Sequence, residues 1–344
     1  MHRRLNMPEQ VVFLVDTDLP SYVEAADWYQ QAFEAAGVRV EQRPSLPGEQ
    51  RWAGDEWVVH HTIAPRLRRV PGAHNTAVLF HEWDRFPSAW VATLDSFDSV
   101  WAPSAHVAST LRASGVRAPV ALVAPPAARP DVPSKRSWTI GTPVRFLSVG
   151  QAHFRKGFHL LIEGFMQAFP ATGEATLTLK VQEGCTWTTP RSDITIMAQR
   201  MDRPALMALY ALHDAYVSTS LGEGLGLPVA EAVMAGVPVV VNQWGGHRDL
   251  VQPGDCWPIA HDVIPQLFCS DPAYYAPGQR CAYSSPEQVA VALRACCEAS
   301  AAERERRARR ARAALESTHG LATVAALISR QHAAVHARQE ALSR

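Results

Sequence analysis

Along the first half of the chain, short apolar runs alternate with amphipathic stretches. Val11-Val12-Phe13-Leu14-Val15 is a five-residue apolar run rich in β-branched residues, too short for a helix, and predicts a buried parallel strand. Ser21-Tyr22-Val23-Glu24 then reads as a capping box. Tyr22, Ala25, Ala26, Tyr29, Phe33 and Ala36 recur at helical spacing until Gly37 ends the helix. Residues 38–40, 57–60, 77–80, 100–102 and 120–123 read as later strands. Four prolines then fall in the nine residues from Pro125 to Pro133, a composition that stops helix and central strand alike and marks a linker. The alternation resumes with a strand at 144–150 and a helical stripe of Phe158, Leu161, Ile162, Phe165 and Phe169. Further strands are predicted at 177–181, 194–196, 215–218 and 237–241. The pattern predicts an α/β chain of two Rossmann-like domains in tandem. Their expected bounds are 1–133, ending in the linker, and 134–321, with a C-terminal segment at 322–344.

Composition narrows the function. A chain of 344 residues with 47% apolar and 19% charged content suits two domains and excludes wholesale disorder. Thirty-three basic residues balance 33 acidic ones, which argues against a nucleic-acid partner and allows at most peripheral membrane contact. No apolar run approaches the roughly 18 residues of a membrane span. Met1-His2-Arg3-Arg4-Leu5-Asn6 has no signal-peptide apolar region, so a cytoplasmic location is expected. The six cysteines lie in the second half without C-x-x-C spacing, as free thiols in a reducing compartment would. A Cys269–Cys281 bridge is the disfavoured alternative.

The chemistry concentrates between Ser218 and Gly246. A strand ends near Thr219, a loop with Gly222, Gly224 and Gly226 follows, Pro228 opens a helix and Gly236 closes it. Glu223 therefore sits at the carboxyl end of a strand, where open α/β sheets bind ligands. Glu231, eight residues later, lies on the first turns of the helix, and a carboxylate at either position would be a good bidentate acceptor for a ribose diol. The glycines let the backbone approach a ligand and turn amide N–H groups toward anionic oxygens. A second block, Ser148-Val149-Gly150-Gln151-Ala152-His153-Phe154-Arg155-Lys156-Gly157, carries a strand, a glycine and two adjacent cations.

Together these blocks resemble retaining glycosyltransferases of the GT-B fold, sequence-classification family 4, a resemblance that implies two Rossmann-like domains facing a cleft. The spacing of Glu223 and Glu231, and the places of Gly236, Pro238, Gly245 and Gly246, match that family's donor signature. Asp249 stands where the family usually has Glu, and Gln151 where it usually has the diphosphate-binding Arg. The resemblance implies that Lys156 and Arg155 hold the donor diphosphate, that Glu223 contacts the sugar, and that Glu231 takes the ribose hydroxyls. It implies Gly150, Gly224, Leu225, Gly226 and Leu227 as further donor-site residues, with base recognition near 197–201. His81, Glu82 and Ser104 become acceptor-side residues of the first domain, His81 among the catalytic set with Glu223, Lys156 and Arg155. The implied reaction moves a sugar from a nucleoside-diphosphate sugar to a hydroxyl of a saccharide, lipid-linked, small-molecule or macromolecular acceptor. It proceeds by same-face attack with the donor phosphate taking the proton, and needs no cofactor and no metal. The resemblance also implies that a helix over 322–342 crosses back onto the first domain.

Other features read more plainly. Asp16-x-Asp18 ends the first strand and reads as a turn or cap, not a metal motif. Gly222-x-Gly224-x-Gly226 lacks the third glycine at dinucleotide offset. The run from Glu303 to Arg312 holds six arginines and two glutamates and reads as a solvated helix face with Ala308, Ala311 and Leu315 inward. His60 and His61 read as packing residues, and 256–285 as a long irregular segment. Two alternatives remain: an epimerase or phosphorylase on the same fold, and a polyanion-binding protein using the arginine-rich helix with a degenerate donor site.

Overall fold

The computed structural model describes residues 11–45, 52, 56–127, 135, 137–266 and 276–342. The N-terminal hexapeptide, most of the Pro-rich linker and Cys269 lie outside the described residues.

Two six-stranded sheets, all their pairings parallel, carry the fold. The first contains β1 (Val11–Val15), β2 (Val40–Pro44), β3 (Trp57–His61), β4 (His74–Val78), β5 (Ser99–Ala102) and β6 (Val120–Leu122), in the order β2-β1-β3-β4-β5-β6. Its helices are α1 (Pro20–Ala35), α2 (Ser88–Asp95) and α3 (Ala105–Ala113). The second contains β7 (Val144–Val149), β8 (Ala175–Lys180), β9 (Ile194–Met197), β10 (Ala215–Ser218), β11 (Val239–Asn242) and β12 (Trp257–Ile259), in the order β12-β11-β10-β7-β8-β9. Between them run α4 (Phe158–Ala168), α5 (Arg203–Leu212), α6 (Leu227–Met234) and α7 (His247–Leu250). A hairpin of β13 (Asp262–Pro265) and β14 (Arg280–Tyr283) precedes α8 (Pro286–Glu298), α9 (Ala301–His319) and α10 (Leu321–Leu342).

The second sheet has the strand order of a dinucleotide-binding fold, and its order reverses between β7 and β10. Crossovers leave in opposite directions there, so the loops after β7 and β10 part and form a crevice at the carboxyl ends. Those loops are the two that carry Lys156 and Glu223.

Several expectations move. Pro20, not Ser21, opens α1, and its N-cap Leu19 makes no side-chain bond, so the capping box is absent. Proline at the first turn stands in for a cap because its missing N–H would be unpaired there anyway. The strand expected at 77–80 begins at His74, with polar Asn75 and Thr76 buried inside it. Both are satisfied: Asn75 Nδ2 donates to Val70 O and Ala73 O, and Thr76 Oγ1 accepts from Trp57 Nε1. Where described, the segment 256–285 is regular, holding β12 and the β13–β14 hairpin. Trp83, Leu160, Leu221 and Cys281 form one buried cluster beneath that hairpin.

The core crosses the domain boundary. Trp28 and Ala124 of the first domain share a buried cluster with Leu147, Tyr210, Val229 and Val233 of the second. On α10, Val324, Ile328 and Val335 join the cluster of Val11, Phe13, Tyr29 and Phe33 under the first sheet. Among the described residues, no helix is long and apolar enough to cross a membrane.

Candidate active site

The loop after β7 is built to present its cations. Gly150 leaves room for the Lys156 stem, whose Cδ lies 3.3 Å from where a Cβ at 150 would stand. His153 caps a 3-10 turn over 154–156, its Nδ1 accepting from Arg155 N at 3.1 Å. Gly157 follows at φ +65°, and a Cβ there would meet Thr219 O at 2.2 Å, so only glycine lets the loop lie against the end of β10. Leu221 N donates to Arg155 O at 2.7 Å, and Thr219 Oγ1 to Gly157 O at 2.9 Å.

These contacts bring Arg155, Lys156 and Glu223 together. Lys156 Nζ lies 2.5 Å from Glu223 Oε1, Arg155 Nη1 3.2 Å from Glu223 Oε2, and Ser220 Oγ donates to Glu223 Oε1 at 2.8 Å. Arg155 also donates to Gly222 O at 2.7 Å and pairs with Glu82 of the first domain at 3.3 Å. Burial alone would raise the Glu223 pKa, but the nearby Lys156 and Arg155 charges win and hold it far below the usual carboxylate range. Burial pushes the Lys156 pKa down, opposed by Glu223. The result is a desolvated cluster of two cations whose counter-charges are carboxylates of both domains.

The glycine loop is pinned from two sides. A Cβ at Gly222 would stand 2.6 Å from Glu82 O, and one at Gly224 2.9 Å from His81 N, so the loop's backbone lies directly on that of the first domain. Ser104 caps α3 and donates its Oγ to Gly224 O at 2.5 Å, while Ala105 N donates to Asp249. From below, Gly246 N donates to Glu223 O at 2.8 Å, and a Cβ at Gly246 would fall 2.4 Å from Leu225 Cα. Leu225 is buried in the shared core, and Gly226 at φ +99° starts α6 with Leu227 as its first residue.

Glu231 sits 4% exposed on α6. Its Oε1 accepts from Arg203 Nη1 at 2.5 Å, and its Oε2 from Tyr210 OH at 2.8 Å. Arg203 simultaneously pairs with Glu24 of α1 and lies 4.9 Å over the Trp28 ring, so it spans the two domains. Burial, then the neighbouring Glu231 charge, raise the Glu24 pKa to about 7 despite Arg203. Met197 and Met201, in the segment expected near the base, pack against the shared core.

His81 is placed at the cleft by its backbone, whereas its ring serves the first domain. The ring stacks on Phe86 at 4.1 Å, and Nε2 donates to Arg85 O at 2.9 Å. Burial lowers its pKa to about 4, so the ring is neutral.

Residues outside the sequence expectations complete the site: Arg203, Tyr210, Glu24, Asn242 and His247. Arg203, Tyr210 and Glu24 share no contiguous motif with Glu223 or Lys156, whereas Asn242 falls inside the 218–246 stretch and His247 directly after it, with no role read for either. Asp249, expected only as a variant of the family's Glu, anchors α3 across the cleft.

Among the described residues, no group of three or more His, Cys, Asp or Glu side chains is arranged to hold a metal ion. Asp16 accepts from Thr62 at 2.7 Å and Arg66 at 2.8 Å and shapes a turn. The five described cysteines are free thiols. In α9, Ala308, Ala311 and Leu315 face inward with buried Arg304. Arg307 stacks on Trp257 at 4.7 Å, and Arg310 pairs with Asp255 at 2.9 Å. Much of the arginine run is therefore engaged within the protein.

The two parallel sheets, the cleft between them and the loops that part at the switch point define the GT-B class of two-domain folds. Over 95% of its length, the chain superposes on all of the Anabaena protein Alr3699/HepE, solved with UDP and glucose (TM-score 0.66, 15% identity). It also superposes over 94% of its length on 98% of the trehalose-6-phosphate synthase OtsA (TM-score 0.65, 12% identity). A third similar structure is the pneumococcal O-GlcNAc transferase GtfA, where 81% of this chain covers 56% of that one (TM-score 0.57, 11% identity). No curated protein sequence matches the chain. Residues 143–268 match the model of the family described as "Glycosyl transferases group 1", so the chain carries a glycosyltransferase group 1 domain.

Proposed function

We propose that this protein is a retaining glycosyltransferase that moves a sugar from a nucleoside-diphosphate sugar to an acceptor hydroxyl, without a metal ion, in the cytoplasm. The observation that carries the reading is the Arg155–Lys156–Glu223 cluster at the switch point of the second sheet, its carboxylate buried and its two cations partly so. Breaking the sugar–phosphate bond places negative charge on the departing diphosphate and positive charge on the sugar. Fixed cations from Arg155 and Lys156 answer the first charge, and the Glu223 carboxylate the second. Preorganised charges in a water-excluded site need little reorganisation during the reaction, and two cations supply what a divalent ion otherwise would.

Glu231 has both oxygens directed by Arg203 and Tyr210, and each oxygen retains a second lone pair for a ribose hydroxyl. Proteins of similar structure bind UDP, UDP-glucose and UDP-2-fluoro glucose, which supports a nucleotide-sugar donor here. A further similar structure is a trehalose-6-phosphate synthase studied for glycosyl transfer with retention, which supports retention here; same-face attack with the donor phosphate taking the proton is the route we propose for it. The acceptor would approach from the first domain beside His81, Glu82 and Ser104.

The test is a thermal-shift panel of nucleoside diphosphates and their common sugar conjugates, with a chelator present, on wild type, Glu231→Ala and Lys156→Ala. At a hundredfold excess over Kd a bound ligand stabilises by about 2.7 kcal/mol. One nucleotide series stabilising wild type and neither variant would support the donor site. No stabilisation of folded wild type by any of them would overturn it.

A further inference from the structure

His247 opens α7 just beyond the Gly245-Gly246 turn and is 1% exposed. It lines the same enclosed space as Lys156, Glu223, Gly226 and Val229. Its Nδ1 faces two acceptors, Asn242 O at 3.2 Å and Asn242 Oδ1 at 3.1 Å. The Asn242 amide is oriented by donation from its Nδ2 to Ser220 O at 2.8 Å. Nδ1 therefore carries the ring proton, and in the neutral imidazole Nε2 is left as a lone-pair acceptor. That Nε2 is buried with no hydrogen-bond partner in the protein. Above it, a Cβ at Gly226 would lie 3.1 Å from Nε2 and 2.7 Å from Cδ2, so glycine at 226 keeps the ring in place.

The ring's environment keeps it neutral. Burial pushes its pKa down, as do Lys156 and Arg155, against the opposing pull of Glu223 and Asn242 O. A buried acceptor without a partner is rare in folded proteins and points to a group supplied from outside. A diphosphate oxygen carries no proton and would meet the Nε2 lone pair repulsively. A sugar hydroxyl carries one.

We propose that His247 Nε2 accepts a hydrogen bond from a hydroxyl of the sugar being transferred, and so helps to select that sugar. The inference rests on the donor-site reading above, and extends it by a residue that reads the sugar and not the nucleotide.

The experiment titrates UDP, ADP and GDP and their glucose and mannose conjugates into wild type, His247→Ala and His247→Gln by calorimetry. Monodeoxy sugar analogues of the tightest-binding conjugate follow. In His247→Ala the affinity for the conjugate should fall about tenfold, and that for the bare diphosphate by less than about twofold. Wild type should lose affinity when one particular hydroxyl is removed from the sugar, and His247→Ala should be indifferent to that hydroxyl. His247→Gln, which keeps an amide oxygen as acceptor, should recover part of the loss. A parallel fall for diphosphate and conjugate would overturn the inference, as would deoxy profiles identical in wild type and His247→Ala. Wild type binding none of the probes would strike the donor-site reading itself, a different result from wild type binding them and His247→Ala binding them equally.

Discussion

Glu223 and Lys156 stand 2.5 Å apart, so a carboxylate of the protein sits on the cation assigned to the donor's diphosphate. Donor binding would then exchange one anion for another on Lys156 and Arg155. Glu223→Gln should separate the two roles. With its internal competitor gone, bare nucleoside diphosphate should bind about tenfold tighter, close to 1.4 kcal/mol. Sugar transfer should fall about 10²–10³-fold, the range for losing one preorganised electrostatic contact. Unliganded stability should drop by about 3 kcal/mol because Lys156 loses its buried partner, and diphosphate should restore much of it. Calorimetric titration, an initial-rate assay and melting with and without ligand check the three parts. A weaker diphosphate affinity in Glu223→Gln would refute the exchange.

The cross-domain group of Glu24, Arg203 and Glu231 gives a pH signature. Glu24 has its folded pKa raised to about 7, so the folded state holds its proton at a pH where the unfolded chain has released it. Stability then falls as pH rises from the unfolded value, about 4.3, through 7. Glu24→Gln mimics the protonated acid. It should melt above wild type at pH 8, and the difference should shrink toward zero by about pH 5. A difference that is constant with pH would show that Glu24 is not responsible.

The loops bearing Lys156 and Glu223 are legible in the sequence because each is a contiguous motif tied to a strand end, and strand ends are where the fold opens. The partners of Glu231 are not. Arg203 and Tyr210 come from α5 and Glu24 from α1, at separations of 28, 21 and 207 residues, and nothing local marks them. His247 is hidden differently: its significance lies in an unpartnered ring nitrogen, which only packing reveals. The register of β4 is obscured because Asn75 and Thr76 are polar yet fully paired inside the sheet, so the apolar run alone starts too late. The hairpin is missed because its strands form one small antiparallel pair outside both main sheets.

Gly224 faces the first domain, and the clash there is across the cleft. Gly224→Ala would place a Cβ 2.9 Å from His81 N and 3.1 Å from His81 O, main-chain atoms that have little freedom to yield. Each domain should fold normally, and diphosphate affinity should change by less than about threefold, since Lys156 and Glu231 belong to the second domain. The cleft should be held apart, and transfer should fall by about 10², as expected when reacting groups are displaced by roughly 1 Å. Small-angle scattering should report the wider particle. Wild-type dimensions together with wild-type turnover would rule out this contact as a determinant of closure.

Within the arginine-rich helix, burial separates one residue from its neighbours. Arg304 is 4% exposed, and its guanidinium donates to Trp138 O at 2.9 Å, to Cys296 O and Cys297 O at 3.2 Å, and to Ala299 O. It thereby satisfies carbonyls at the end of α8 that no further helical turn supplies. Arg306 makes only a surface pair with Glu303 at 2.8 Å. Arg304→Ala should therefore destabilise the second domain by about 3 kcal/mol, because several buried acceptors lose a charged donor together. Arg306→Ala should change stability by less than about 0.5 kcal/mol. Urea melts followed by tryptophan fluorescence would check both, since Trp138 and Trp257 pack against this helix. Equal effects at the two positions would mean that the run acts as a uniform charged surface and not as a structural clamp.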